Sequence, residues 1–265
     1  MNINEANERP PTIMLPFYCQ DEVDHFSWTI SQWEKLTKTE IQHQFLLIGR
    51  HDFCGDTKVL ERLCSKFGKT TKVILGGEAV GHPSACNEMW ALGVKELAHL
   101  NTIFGFFMES DVVPKRQDWL DQLVSKWRDD YMVMGHINHK EYLLEKGFSE
   151  LLPVHINGAA CYNPKIMEIK FTFEDMVKPW NNQLESAGTA WDVELQKWLK
   201  PHQILGFTLF DFYLTPEYIS GSLDQKKAAI CNDLLINPTG RLMIHGLKSL
   251  EEKNYWLEMR NFVTP

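Results

Sequence analysis

Glu109-Ser110-Asp111 is the segment whose residue types and spacing most readily suggest chemistry. Two carboxylates one residue apart follow directly on the apolar run 102–108 (TIFGFFM). Acids where a buried strand emerges at its carboxyl end can hold magnesium or manganese, and such an ion shares its coordination sphere with substrate phosphates. The competing reading is an ordinary solvated strand end, since acid-x-acid triplets are common by chance.

The elements around the triplet follow from hydrophobic periodicity. Residues 12–18 (TIMLPFY), 45–48 (FLLI), 72–75 (KVIL), 102–108 and 131–134 read as strands, with helices predicted over 23–36, 57–67, 83–97 and 117–127. Asp21 is a plausible N-cap for the first helix, and Pro83 suits the first turn of the third, where its missing N–H is not needed. The alternation of strand and helix implies an α/β domain with a mostly parallel sheet and helices on both faces. Ligands in such sheets bind beyond the carboxyl ends of the strands, where the triplet stands. The second half is less regular. Strands are expected at 154–162 and 205–214, a helix at 189–199, and an apolar stretch at 242–248. No repeat, low-complexity segment or linker interrupts the chain, so 1–265 reads as one domain.

Bulk properties narrow the function classes. The chain has 265 residues and a formal net charge of −8, with a pI near 5.7. No basic stripe is present, which argues against nucleic-acid binding. The six cysteines, Cys19, Cys54, Cys64, Cys86, Cys161 and Cys231, form no C-x-x-C pair and are expected as free thiols in a reducing compartment. The polar residues 1–11 contain no apolar signal region, and no apolar stretch of about 18 residues occurs, so a cytoplasmic protein without integral membrane association is expected.

The segment 106–123 (FFMESDVVPKRQDWLDQL) resembles the metal motif of GT-A glycosyltransferases: hydrophobic strand, acid-x-acid, a short apolar step, Pro, then an aromatic-bearing helix. The form with Glu first is most similar to inverting N-acetylglucosaminyltransferases of the Golgi type. That resemblance implies that Asp111 binds Mn2+ or Mg2+ directly. Glu109 would act through water or on the donor ribose, and Ser110 would lie beside the donor. Ala190-Trp191-Asp192-Val193-Glu194 resembles the Trp-Asp pair of the same enzymes, which makes Asp192 the general base and Glu194 its rival. An inverting transfer needs a carboxylate near the acceptor hydroxyl, opposite the departing diphosphate. The alternative for Asp192 is a first-turn acid that favours the helix dipole. His245-Gly246 resembles the C-terminal His that many GT-A enzymes place at the metal, and Lys248 would help neutralise the leaving diphosphate.

The resemblance further implies a nucleotide-sugar-binding half over about 12–135 and an acceptor-binding half over about 136–265. Pro16, Phe17 and Tyr18 would meet the nucleobase, Asp52 its edge, and His82 and Asn87 the donor; for Phe17 a core position competes with stacking. Asn157-Gly158-Ala159 would face the acceptor, with Trp180, Trp191 and Trp198 as candidate sugar platforms. Two departures stand out: the middle residue of the triplet is Ser rather than an acid, and no N-terminal anchor is expected. A bacterial or virus-encoded relative is therefore expected. The reading is a glycosyltransferase moving a sugar, expected from a UDP-sugar donor, to a glycan or glycoconjugate acceptor. Its rivals are a nucleotidyltransferase, which would carry a Gly-rich basic first loop where this chain has LPFYCQDE, and a non-catalytic carbohydrate-binding protein on the same fold.

Overall fold

In a computed structural model, residues 3–75, 84–138, 155–169, 190–195, 198–212, 218, 220–236 and 241–263 are described below. The central sheet is built from β1 (Thr12–Phe17), β2 (Gln44–Gly49), β3 (Lys69–Ile74), β4 (Gly105–Phe107), β6 (Val133–Asn138), β7 (His155–Tyr162) and β8 (Ile204–Phe207). Their order is β3-β2-β1-β4-β7-β6-β8. β1, β2, β3 and β4 run parallel; β7 is antiparallel to β4 and β6, and β8 returns parallel to β6. A second, three-stranded sheet sets β10 (Met243–His245) between β5 (Val112–Pro114) and β9 (Phe210–Phe212).

Helices cover both faces of the large sheet, as βαβ crossovers require. The helices of the described residues are α1 (Ile3–Glu8), α2 (Gln20–Ser31), α3 (Trp33–Leu36), α4 (Lys58–Cys64), α5 (Ser84–Leu97), α6 (Trp119–Lys126), α7 (Trp191–Leu195), α8 (Leu223–Ile236) and α9 (Leu250–Val263). Alternation along β1 divides the core in two. Ile13, Leu15 and Phe17 join one cluster with Phe26 of α2, Leu60 of α4 and Trp119 of α6. Met14 joins the other with Trp90 and Val94 of α5 and Trp191 of α7. A third cluster packs α8 and α9 on the small sheet through Ile230, Leu234, Ile244 and Trp256.

The expected α/β class and mostly parallel sheet are present. Three expected elements are differently built. The helix predicted over 23–36 is two, α2 and α3, with Gln32 between them. The strand predicted over 205–214 is two short ones in different sheets, β8 and β9. Residues 1–11, read only as polar with no element assigned, contain α1. All six cysteines are free thiols. Among the described residues no helix is long and apolar enough to cross a membrane.

Candidate active site

β4 lies between β1 and β7, fully buried, and delivers the chain to the carboxyl edge of the sheet. A tight turn follows, in which the Val112 N–H donates to the Glu109 carbonyl at 3.0 Å. The chain then enters β5, which pairs antiparallel with β10 so that Val112 stands opposite His245. Gly246, at φ 114°, turns sharply after His245, and the N–H groups of Gly246 and Leu247 both donate to the Asp111 carbonyl, at 3.2 and 3.3 Å. A side chain at Gly246 would oppose that left-handed conformation. The small sheet thus joins two segments more than 130 residues apart in sequence. His245 Nε2 lies 3.0 Å from Glu109 Oε2 and 3.4 Å from Asp111 Oδ1. One ligand atom from each of the three residues falls within 4.8 Å of the others.

Charge is concentrated here. Burial opposes a charge on Asp111, but His245 and Lys248 outweigh it and hold the carboxyl well below its ordinary range. Burial likewise opposes a charge on His245, yet Asp111 and Glu109 raise its pKa to about 10. Lys248 Nζ pairs with Asp111 Oδ2.

The triplet opens on a cleft of about 270 Å3. One wall is α7. Its first residue, Trp191, is buried and stacks on Trp90 at 6.2 Å. Its backbone N–H donates to Asn87 Oδ1 at 2.8 Å and its indole N–H to the Tyr162 hydroxyl at 2.9 Å. This anchoring leaves Asp192 facing the cleft. Its Oδ2 is 3.9 Å from His155 Nε2. Burial raises the Asp192 pKa, His155 opposes the rise and Glu109 adds to it. Gly158 lies beneath Trp191: a Cβ there would sit 2.6 Å from Trp191 Cζ2 and 3.4 Å from Glu109 Oε1. Gly158→Ala is accordingly expected to cost about 1–3 kcal/mol of stability, the penalty of overpacking. Urea unfolding measures it, and a variant as stable as the parent would show that Trp191 yields freely.

Pro16, Tyr18 and Glu22 also line the cleft. Tyr18 is 45% exposed, with the Arg50 guanidinium 4.9 Å from its ring centroid. Glu22, in the first turn of α2, accepts the Tyr18 backbone N–H at 2.7 Å. Burial above all, then the Asp111 and Glu109 charges, push its pKa up to about 7 against the Tyr18 hydrogen bond.

No protein-family model matches the chain, and no curated protein matches it. Solved structures do. A galactosyltransferase, LgtC, in complex with donor and acceptor sugar analogues superposes with a TM-score of 0.56 at 12% identity over 96% of both chains. An active-site variant of LgtC gives 0.56 at 10% identity, again over 96% of both. The bifunctional glycosyltransferase WbbM gives 0.54 at 10% identity over 96% of this chain and 50% of its own. The fold is GT-A.

On this GT-A sheet the structure gathers most of the residues singled out in the sequence. Glu109, Ser110, Asp111, Asp192, Lys248, Pro16 and Tyr18 line one cleft, and His245 joins the two acids. Glu109, expected to act through water or on the ribose, is one of the three residues whose ligand atoms converge and could hold an ion. Other residues singled out in the sequence are placed differently from what was expected. Phe17 is fully buried and packs edge-on against Phe53 at 4.9 Å; strand alternation turns it to the face opposite its neighbour Pro16. Asp52 is held by Arg50 at 2.5 and 2.7 Å and does not line the cleft. Asn87 is buried and supports the Trp191 backbone. Glu194 lies two residues beyond Asp192 on α7, away from the cleft lining. Trp191 is largely buried yet contributes to the cleft lining, whereas Trp198 is exposed outside the cleft. His82 and Trp180 lie outside the described residues. The sequence reading missed Glu22, whose signal was an acid in the first turn of the helix that follows the first strand.

Proposed function

We propose that this chain is a metal-dependent glycosyltransferase that takes a sugar from a nucleotide-sugar, a UDP-sugar on the motif resemblance, and joins it to a hydroxyl of a glycan or glycoconjugate. The observation that carries this reading is that Glu109, Asp111 and His245 converge beside one cleft that Asp192 and Lys248 also line. Two carboxylates and an imidazole suit Mn2+, and with water also Mg2+. A divalent ion held there would supply positive charge for the donor diphosphate.

The remaining chemistry falls to the protein's own groups. Lys248 would set its ammonium against the diphosphate as negative charge develops. Tyr18, with Arg50 over its ring, offers a flat surface to the nucleobase. Asp192 would accept the proton of the acceptor hydroxyl while that oxygen bonds to the sugar C1 and the C1–diphosphate oxygen bond breaks. The burial that raises its pKa also makes it a stronger base. A base placed to act on the acceptor is what inversion at C1 requires, and the narrower likeness to N-acetylglucosaminyltransferases rests on Glu109-x-Asp111 and Trp191-Asp192 alone.

Thermal unfolding with UDP-, GDP- and dTDP-sugars, each with and without Mn2+, tests the reading. A donor at 100 times its Kd stabilises the fold by about 2.7 kcal/mol. A rise in Tm for one donor, present only with Mn2+, is expected. A sugar-induced rise independent of metal would favour a binding protein, and pyrophosphate release from a nucleoside triphosphate would favour a nucleotidyltransferase.

A further inference from the structure

A lysine on α9 reaches the acidic triplet from behind the cleft. The Lys253 side chain is fully buried. Its Nζ donates to the Ser110 carbonyl at 2.6 Å, to Thr29 Oγ1 at 3.2 Å and to the His25 carbonyl at 3.4 Å. All three acceptors are neutral, and the Trp28 ring centroid lies 5.5 Å away. A buried ammonium held only by neutral oxygens is costly to desolvate, and an apolar side chain would serve packing alone at less cost. The three acceptors are also distinctive in origin. Two belong to α2, the helix that carries Glu22 on one cleft wall; the third is the middle carbonyl of Glu109-Ser110-Asp111. The shortest of the three bonds is the one to the triplet.

We propose that Lys253 is a positioning residue for the candidate metal site: it pins the Ser110 carbonyl to α2 and so aims Glu109 and Asp111 at His245. This inference rests on the reading of that trio as metal ligands. Lys253 touches neither the donor nor an ion. It fixes the peptide between the two carboxylates, as outer-shell groups orient ligands elsewhere. Its leverage comes from the turn that it braces, where the Val112 N–H closes on Glu109 and the Gly246 and Leu247 N–H groups close on Asp111.

The test uses the full chain carrying Lys253→Met, which keeps the volume and removes the donor. Hydrogen exchange read by mass spectrometry, without added metal, is expected to quicken in the segments around 109–113 and 245–248, with α2 and α9 exchanging as in the parent. Parent-like exchange at the turn would overturn the proposal, as would acceleration confined to α2 and α9, which is what a packing role predicts. Mn2+ titration of the same variant should show affinity weakened by about 10–100-fold, the usual effect of losing an outer-shell partner; unchanged affinity in the folded variant would count equally against it. If the parent itself binds no Mn2+, the glycosyltransferase reading fails while the exchange result still decides the role of Lys253. Should Lys253→Met not fold, Thr29→Val withdraws one acceptor, and faster exchange in the same two segments is expected; no change there would overturn the proposal.

Discussion

Asp111→Ala is expected to abolish metal-dependent donor binding and to lower kcat/KM by at least about 10²–10³-fold, the loss that follows removal of one preorganised charge-stabilising group. The expectation rests on burial. Asp111 is 3% exposed, faces His245 and Lys248, and has its own carbonyl fixed by two N–H groups. Glu109 already contacts His245 at 3.0 Å on its own side of the trio. The variant also leaves His245 without the larger of its two supporting charges, so some stability should be lost with the site. Isothermal titration with Mn2+, then with donor at saturating Mn2+, separates these effects. Normal binding of both by Asp111→Ala would place the ion elsewhere.

Asp192→Asn should behave differently. The amide keeps the shape and the contact with the Val193 N–H but cannot accept the proton of the acceptor. Donor affinity is expected to stay within a few fold, while transfer falls by about 10²–10⁴-fold, the usual share of a general base. The pH profile follows from the sign of the shift. Asp192 has its pKa raised above 3.8 by burial, so transfer should decline as pH falls through that raised value and the carboxylate protonates; the Asn variant should lack this acidic limb. Glu194→Gln serves as the comparison, since Glu194 lies off the cleft and its variant should transfer as the parent does. Full activity of Asp192→Asn would remove Asp192 as the base.

The alternation of β1 to β4 and β6 with α2, α4, α5 and α6 was legible because each of these elements carries its own period, whereas α1, the short β5 and the break between α2 and α3 were not; a strand buried on both sides, such as β4, announces itself as an apolar run. The acidic triplet was legible for the same reason: it sits where that run stops. Which face a strand residue takes was harder. Pro16 and Phe17 are adjacent, and only the packing of α2 and α4 beneath β1 decides that Phe17 is core. Asn87 and Trp191 looked like ligand contacts because polar and aromatic residues serve both roles; their mutual hydrogen bond is a long-range fact that no local pattern contains. The two C-terminal helices were missed although each carries a local start signal. Gln225 N–H donates to Ser222 Oγ while Ser222 N–H donates to Gln225 Oε1, and Glu252 N–H donates to Ser249 Oγ, so both begin with the Ser-x-x-Gln/Glu spacing of a capping box. The same oversight hid Lys253, which has meaning only once α9 exists.

The pairing of β5 with β10 has a bearing on synthesis. Domains emerge from the ribosome N-terminal end first, so the large sheet, both acids of the triplet and Asp192 are all made before residue 243. A nascent chain at that stage has a cleft but holds only two of its three converging groups. Arrival of β10 brings the imidazole and the Gly246 turn in one step. Mn2+ affinity, measured on chains released at successive lengths, should therefore rise abruptly once residues 243–246 are included, so that the capacity to hold the ion would report that β10 has been made and paired.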